Sequence, residues 1–421
     1  MNRRVLVLTV FSIGIFTTVA CSDATQSTSP MTEKQSVTTD SFVDGNGWTW
    51  HKVDEIDSDV ESSPSNRGGE DTDGLPSIKE MTVEEVADNF QPILEFNQEI
   101  YVLSEEDATE MAEQMKAAEE AGVNGTDPAM PLGGSLSQSG TSSNSTSSTQ
   151  TSVSQSGAGK GSATYKDGGY VFGGDERTAI PSNTWPDMMI ADGDGFGGCT
   201  GFKLMGHHMA ATAAHCVFDA GTSFFDGIDG WRSVKSWTFS PDDTITGIDE
   251  IDKGCVARIV PAAYRTVGHH VGLDFAAVLF QSPLGACDMS NYDVGYFGVK
   301  GLNPTDGKVN YQLGGYPDPT PFGTSHPDYY VDQDKAWVRR AKRNRLVYNI
   351  DGTDGNSGGP VAKRKPTWGG HEYVRVSAVH SGWVDFALDS RNQGRRITGG
   401  IYYWYEVMKN ITSLPQQQKS P

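Results

Sequence analysis

The sequence predicts an all-β globular domain over residues 171–421, and three observations carry that reading. First, many short apolar runs are punctuated by Gly, Pro, Asn and Asp. Phe202–Met205, Met209–Thr212, Phe275–Phe280 and Tyr373–Val379 each read as a strand. Second, strands do not alternate with long helical stretches, which disfavours an α/β chain. Third, the region holds 251 residues, enough for one all-β double-barrel unit. One helix is predicted near its end, over Ile401–Ile411, where Ile401, Tyr405 and Met408 share a face.

The rest of the chain is a different polymer. The 421 residues carry 33 Lys+Arg and 54 Asp+Glu, for a net charge of −21. Residues 171–421 hold 27 acidic and 24 basic side chains, net −3; the first 170 hold the other 27 acidic and only 9 basic, net −18. A surface this acidic repels polyanions, which argues against nucleic-acid binding through a general basic face. One apolar run stands out, at the N-terminus, so a polytopic membrane protein is also disfavoured.

That run is Val5–Ala20, 16 residues behind Met1-Asn2-Arg3-Arg4. It is shorter than the roughly 20 residues that span a bilayer, and reads as a secretory signal over 1–20. Val19-Ala20-Cys21 resembles the end of a bacterial lipoprotein signal, although Thr18 stands where that pattern prefers Leu. Cys21 is therefore a candidate lipidation site, with ordinary cleavage near Ala20 as the alternative. Either route predicts an exported protein, directly or through a lipid-anchored precursor.

Export places the remaining cysteines, Cys199, Cys216, Cys255 and Cys287, where thiols pair. Four cysteines allow three connectivities, and sequence order favours the local loops Cys199–Cys216 and Cys255–Cys287. In the chain-entropy account, the first such loop stabilises by roughly 3 kcal/mol.

Residues 21–132 form an acidic region. Its first part, 22–80, lacks periodic apolar positions and is predicted to be mobile. Val83, Val86, Ala87 and Phe90 then recur at helical spacing, as do Ala108, Met111, Ala112 and Met115 after a start at Ser104–Asp107 that resembles a capping box. Two short helices interrupted at Pro92 are expected, either as a pro-segment docked on the rest or as a solvated hairpin. Residues 133–170, rich in Ser, Thr and Gly, read as a linker. Sequons at Asn124, Asn144 and Asn410 matter only in a eukaryotic secretory route, which the signal argues against. Asp192-Gly-Asp194-Gly resembles a calcium-loop fragment but lacks the distal Glu and the full spacing, so no metal and no cofactor are assigned.

Three segments carry chemistry. Thr212-Ala-Ala-His215-Cys216 puts a His after a strand, Gly272-Leu-Asp274 puts an acid before one, and Gly355-Asn356-Ser357-Gly358-Gly359-Pro360 puts a Ser in a glycine-rich loop. A serine hydroxyl becomes a nucleophile when an imidazole accepts its proton. The imidazole needs an acceptor on its other nitrogen to fix its tautomer and stabilise the imidazolium. His215, Asp274 and Ser357 are the candidate triad. Gly355 and Ser357 can direct their N–H groups at one oxyanion.

These segments resemble the chymotrypsin-fold serine proteases, and specifically the glutamyl-endopeptidase (V8-like) branch. The resemblance covers about 171–411. It rests on Val171-Phe-Gly-Gly-Asp-Glu-Arg177, Cys199-Thr200-Gly201-Phe202, Thr212–Cys216, Asp274–Val278 and Tyr348–Val361. It implies two six-stranded antiparallel β-barrels followed by the C-terminal helix, with the triad between the barrels. It also supports a Cys199–Cys216 disulfide. The implied protein is a secreted, monomeric serine endopeptidase acting on protein or peptide substrates, made as a zymogen. Its partners would be its own pro-region and an activating protease. Digestive-type relatives carry an Asp before the serine that pairs with the new N-terminus. Neutral Asn356 cannot, so removal of the pro-segment is expected to activate by another route. Tyr170–Val171 is the favoured junction, with Lys160 and Lys166 as other cutting sites.

Two residues bear on the substrate pocket and disagree. His380 matches the branch's pocket histidine and implies preference for Glu or Asp. Asp351, six residues before Ser357, matches by ungapped count the acid that binds Lys or Arg in trypsin-type enzymes. Gly352 replaces a usual hydroxyl residue, and Trp383 stands where a small Gly is common. Basic residues at Lys335, Arg339, Arg340, Lys342, Arg343, Arg345, Lys363, Arg364 and Lys365 suggest a face for the acidic pro-segment. The alternatives are a non-catalytic binding protein with the same fold and a membrane-anchored regulatory protease.

Overall fold

The computed structural model of the chain describes residues 41–53, 75–122, 163–166, 169–172, 177–179, 188–193, 196–206, 208–219, 230–232 and 234–239. It further describes 249–250, 256–267, 270–280, 297–299, 311–317, 330–336, 338–341, 344–366, 372–386 and 389–411. The signal, Cys21, Lys160, Cys255, Cys287 and the sequons at Asn124 and Asn144 lie outside the described residues. The described part falls within one unit, Thr39–Pro421.

The acidic region has its own fold. It runs β1 Ser41–Val43, β2 Thr49–Val53, α1 Val83–Phe90, β3 Pro92–Phe96, β4 Glu99–Leu103 and α2 Glu105–Ala121. Both helix starts are written in the sequence. Thr82 and Glu85 form a reciprocal capping box, and the Ser104 side chain accepts from the Asp107 N–H. Two corrections follow. Residues 41–53, expected to be mobile, form a hairpin because the Asp44 carboxylate accepts from the Asn46 and Trp48 N–H groups and from Trp50 Nε1. Pro92 opens a second hairpin between the helices, turned at Asn97 and Gln98 with φ of 53° and 67°. Its Ile93, Leu94, Phe96, Ile100, Tyr101 and Leu103 are all buried, so no polar alternation betrays a strand.

Next come the hairpin β5 Ala163–Lys166 and β6 Gly169–Phe172, and the short β7 Arg177–Ala179. A first group of strands follows: β8 Met188–Gly193, β9 Phe196–Lys203, β10 Met209–Thr212, β11 Val234–Phe239, β12 Asp249–Glu250, β13 Val256–Pro261 and β14 Ala276–Phe280. The helix α3, Ala262–Val267, sits between the last two. A second group comprises β15 Gly298–Val299, β16 Tyr311–Gly315, β17 Tyr330–Ala336, β18 Val338–Ala341, β19 Arg345–Tyr348, β20 Pro360–Pro366, β21 Glu372–Phe386 and β22 Asp389–Arg396. The chain ends in α4, Gly399–Lys409, close to the predicted span.

Among the described residues these strands form a sheet of eleven, in the order β1-β2-β4-β3-β13-β14-β10-β9-β8-β11-β12, and a sheet of nine. The second follows β18-β19-β22-β21-β20-β16-β17-β7, with β15 beside β21. The mostly-β expectation holds. The six-stranded count does not, and both sheets are open over the described strands. The physical reason in the first sheet is that β3 takes the edge of β13, with Leu94 opposite Ile259, so the sheet continues into the acidic region. Helix α2 lies against α4 so closely that a Cβ on Gly399 would sit 2.0 Å from the Ala118 carbonyl oxygen. One core joins Phe90, Leu94, Met111 and Met115 to Phe275, Ile401, Trp404 and Tyr405. A separate cluster of Tyr311, Leu313, Leu346, Tyr348, Ile350, Val361 and Ala378 lies in the second sheet.

Candidate active site

His215 and Asp274 are brought together by strand register. β10 pairs with β14 so that Thr212 opposes Ala276. The chain leaving Thr212 and the chain entering Ala276 therefore lie side by side at one end of the pair. His215 sits there on a 3-10 turn, Ala214–Cys216, and its strand neighbour β9 is joined to that turn by the Cys199–Cys216 disulfide, Cα–Cα 5.9 Å. His215 Nδ1 lies 2.8 Å from Asp274 Oδ2, and the His215 backbone N–H donates to Asp274 Oδ1 at 3.0 Å. The Ser381 hydroxyl also donates to Oδ2. Burial pushes the Asp274 carboxyl up, but the His215 charge and the hydrogen bonds from His215 and Ser381 outweigh it and hold the pKa below the ordinary value. The three side chains Cys199, His215 and Cys216 cluster tightly, but both sulfurs are spent in the disulfide, so they do not offer a metal site.

Ser357 lies in a loop pressed against the same corner. Its carbonyl accepts from the Thr200 N–H at 2.8 Å, and the Gly355 carbonyl accepts from the Thr200 hydroxyl at 2.6 Å. Gly358 has φ of 82°, and a Cβ there would meet the Thr200 carbonyl at 2.1 Å and Thr212 Oγ1 at 2.2 Å. Only glycine admits this approach of the serine loop to the strand that leads to His215. Among the described residues, neither the Gly355 nor the Ser357 N–H donates to a protein partner. Asn356 is buried, and its side-chain oxygen accepts from the Thr353 N–H at 3.1 Å, so it braces its own loop.

The two pocket residues differ in what they touch. His380 is buried beneath Gly352, where a Cβ would lie 3.4 Å from His380 Cε1, and its Nδ1 is 2.6 Å from the Tyr348 hydroxyl. Burial, reinforced by the His215 charge, lowers its pKa from 6.5 to about 3, so the ring is neutral at pH 7. Asp351 is also buried, and its Oδ1 accepts from the Phe172 N–H at 2.9 Å. The end of the linker thus runs along the pocket loop. The Tyr170 carbonyl accepts from Gly352 N–H at 3.2 Å, and the Asn392 side chain bonds both the Tyr170 N–H and its carbonyl. Tyr165 and Tyr170 stand edge-on to Trp383, with ring centroids 5.5 and 5.7 Å away. Arg177 reaches Thr353 Oγ1 at 2.6 Å. Ser381 and Asn392 escape sequence reasoning, and Tyr348 and Arg177 stand in quoted segments without a role, because nothing in the local pattern marks a polar strand residue as part of a site.

No protein-family model matches the chain. It is 25% identical over 245 residues to glutamyl endopeptidase of Bacillus licheniformis, covering 58% of this chain and 68% of that protein. The chain is similar to the V8-like branch of the chymotrypsin-fold serine proteases. Hydrolysis of peptide bonds is the activity this relationship carries. Among solved structures, a Glu endopeptidase in complex with MPD aligns with 20% identity over 57% of this chain and 99% of its own, at a TM-score of 0.42. The protease Anisep from Arthrobacter nicotinovorans aligns with 17% identity over 52% and 93%, at 0.36. Both superpose only loosely on the chain. No helix among the described residues is long and apolar enough to cross a membrane.

Proposed function

We propose that the chain is an exported serine endopeptidase, made as a precursor on a two-barrel frame, that cleaves after Glu or Asp. The observation that carries the catalytic part is the two-point contact of His215 with the buried Asp274 carboxylate, 2.8 Å at the ring and 3.0 Å at the backbone. That contact engages the ring through Nδ1, so Nε2 faces away from Asp274. In the reaction, Ser357 Oγ attacks the scissile carbonyl carbon as its proton passes to His215 Nε2. The oxyanion is met by the Gly355 and Ser357 N–H groups. Collapse breaks the C–N bond, and the leaving amine takes the proton from His215. Water then repeats the sequence on the acyl-enzyme, with His215 again as base.

Two features support the acidic preference. The Asp351 carboxylate is committed to the Phe172 backbone, which weakens its candidacy as a seat for Lys or Arg. A neutral His380 held by Tyr348 can present Nε2 to a substrate carboxylate. Peptides differing only in the residue before the scissile bond test this. Hydrolysis after Glu or Asp is expected, and a clear Arg preference would overturn it. Cutting at Tyr170–Val171 requires β6 to leave its place, since both residues are buried there.

A further inference from the structure

The sequence reads the acidic region as a pro-segment that is removed once the linker is cut. Its contacts argue otherwise. We propose that residues 41–121 stay bound after cleavage, as a permanent non-covalent subunit of the protease domain.

The interface has the character of a core. β3 completes the edge of β13 with five residue pairs, from Phe96–Ala257 to Pro92–Pro261. Losing it would expose a row of unpaired backbone groups on a strand whose residues are largely buried. Phe90 of α1 packs on Phe275 at 6.4 Å between centroids, and its carbonyl accepts from Trp404 Nε1 at 3.0 Å. Phe275 in turn meets Trp404 at 5.0 Å and lies under the Arg395 guanidinium at 5.6 Å. It is the residue directly after Asp274. The floor beneath the candidate catalytic acid is therefore built partly from the acidic region.

Polar contacts fix the same register. Glu95 Oε2 accepts from Arg258 Nε at 2.7 Å with both side chains largely buried. Glu119 Oε2 accepts from the Gly400 N–H at 2.8 Å, capping α4, and its charge acts on Arg395 and Arg396. Asn46 Nδ2 donates to the Val407 carbonyl, and Asn344 Nδ2 to the Leu75 carbonyl. Of the basic cluster once expected to hold the acidic region, Arg345 is buried and donates to Gln393 Oε1. The side chains of Lys335, Arg339, Arg340, Lys342, Arg343, Arg364 and Lys365 lie outside the described residues, and the described docking runs through Arg258, α4 and apolar packing. Such an interface does not dissolve in salt, because its main contribution is burial rather than exposed charge.

The test uses the full chain carrying Ser357→Ala, a C-terminal affinity tag and an engineered cutting site within 133–162. An added protease nicks the linker, so the result does not depend on the chain's own activity. The tagged domain is then captured and washed at high salt, then with denaturant. The expected result is a stoichiometric fragment containing residues 41–121 that survives high salt and leaves only with denaturant. Release of that fragment at low or high salt, from a domain that stays folded by circular dichroism, would overturn the proposal. In the same assay Glu119→Lys, which reverses the charge facing Arg395 and Arg396, is expected to lower retention several-fold. Gly399→Leu, which puts a side chain into Ala118, is expected to abolish it. Unchanged retention in both variants would also count against the interface.

Discussion

Two regions of the site are each held from the N-terminal half of the chain, by different physics. The floor under Asp274 rests on Phe90, Phe275 and Trp404, aromatic side chains packed in a dry core. The pocket loop around Asp351 and Gly352 is held by backbone hydrogen bonds to Tyr170 and Phe172, at the end of the linker. Apolar packing of that extent is all-or-none and persists when the chain is cut elsewhere. A few hydrogen bonds to one strand can be exchanged for water or for a new chain end at small net cost. The first region is therefore suited to a constant role and the second to a switchable one.

The largest effect expected is on the triad itself. Asp274→Asn leaves His215 without its charged acceptor and should lower kcat by about 10⁴-fold, the loss typical of that change in such triads. Near-normal turnover would remove Asp274 from the mechanism. Next is Phe90→Ala in the constant region. Truncating a buried Phe costs about 3–5 kcal/mol, and a matching fall in the denaturant midpoint is expected, with the pocket untouched. A loss below about 0.5 kcal/mol, the scale of a surface change, would make the floor independent of the acidic region.

Asn392→Ala probes the switchable region. It removes the side chain that bonds both backbone groups of Tyr170 and the Ile350 carbonyl. The expected cost is about 1–3 kcal/mol, read as earlier protease nicking at 163–172. The last probe is a pH dependence. His380 has its pKa lowered from 6.5 to about 3 by burial, so the unfolded chain takes up that proton first. Stability present above pH 6.5 is therefore lost as pH falls toward 3, and His380→Gln should flatten that part of the profile. An unchanged slope would mean that His380 is not buried neutral.

The parts of this arrangement legible in the sequence were those carried by local chemistry. His215, Asp274 and Ser357 stood in recognisable segments, and the Cys199–Cys216 pairing followed from order and resemblance. The helix start at Ser104 was readable because capping is a four-residue signal, whereas the equal signal from Thr82 to Glu85 was passed over. What could not be read was non-local. The hairpin Pro92–Leu103 is buried on both faces and shows no period of two, and its pairing with β13 joins residues far apart in the chain. The hairpin at 41–53 depends on one carboxylate, Asp44, whose role emerges only when its three partners are seen. Tyr348 beneath His380 and Asn392 beside Tyr170 are likewise invisible until strands are paired. The conflict between Asp351 and His380 narrows for the same reason, since the structure gives Asp351 a backbone partner.

Everything proposed for the site requires Ser357 to be an activated nucleophile. Labelling with a fluorophosphonate, followed by peptide mapping, reads that property. Stoichiometric modification of Ser357 is expected in the processed chain, and none in Ser357→Ala. A processed, folded chain that takes no label at Ser357 would contradict it.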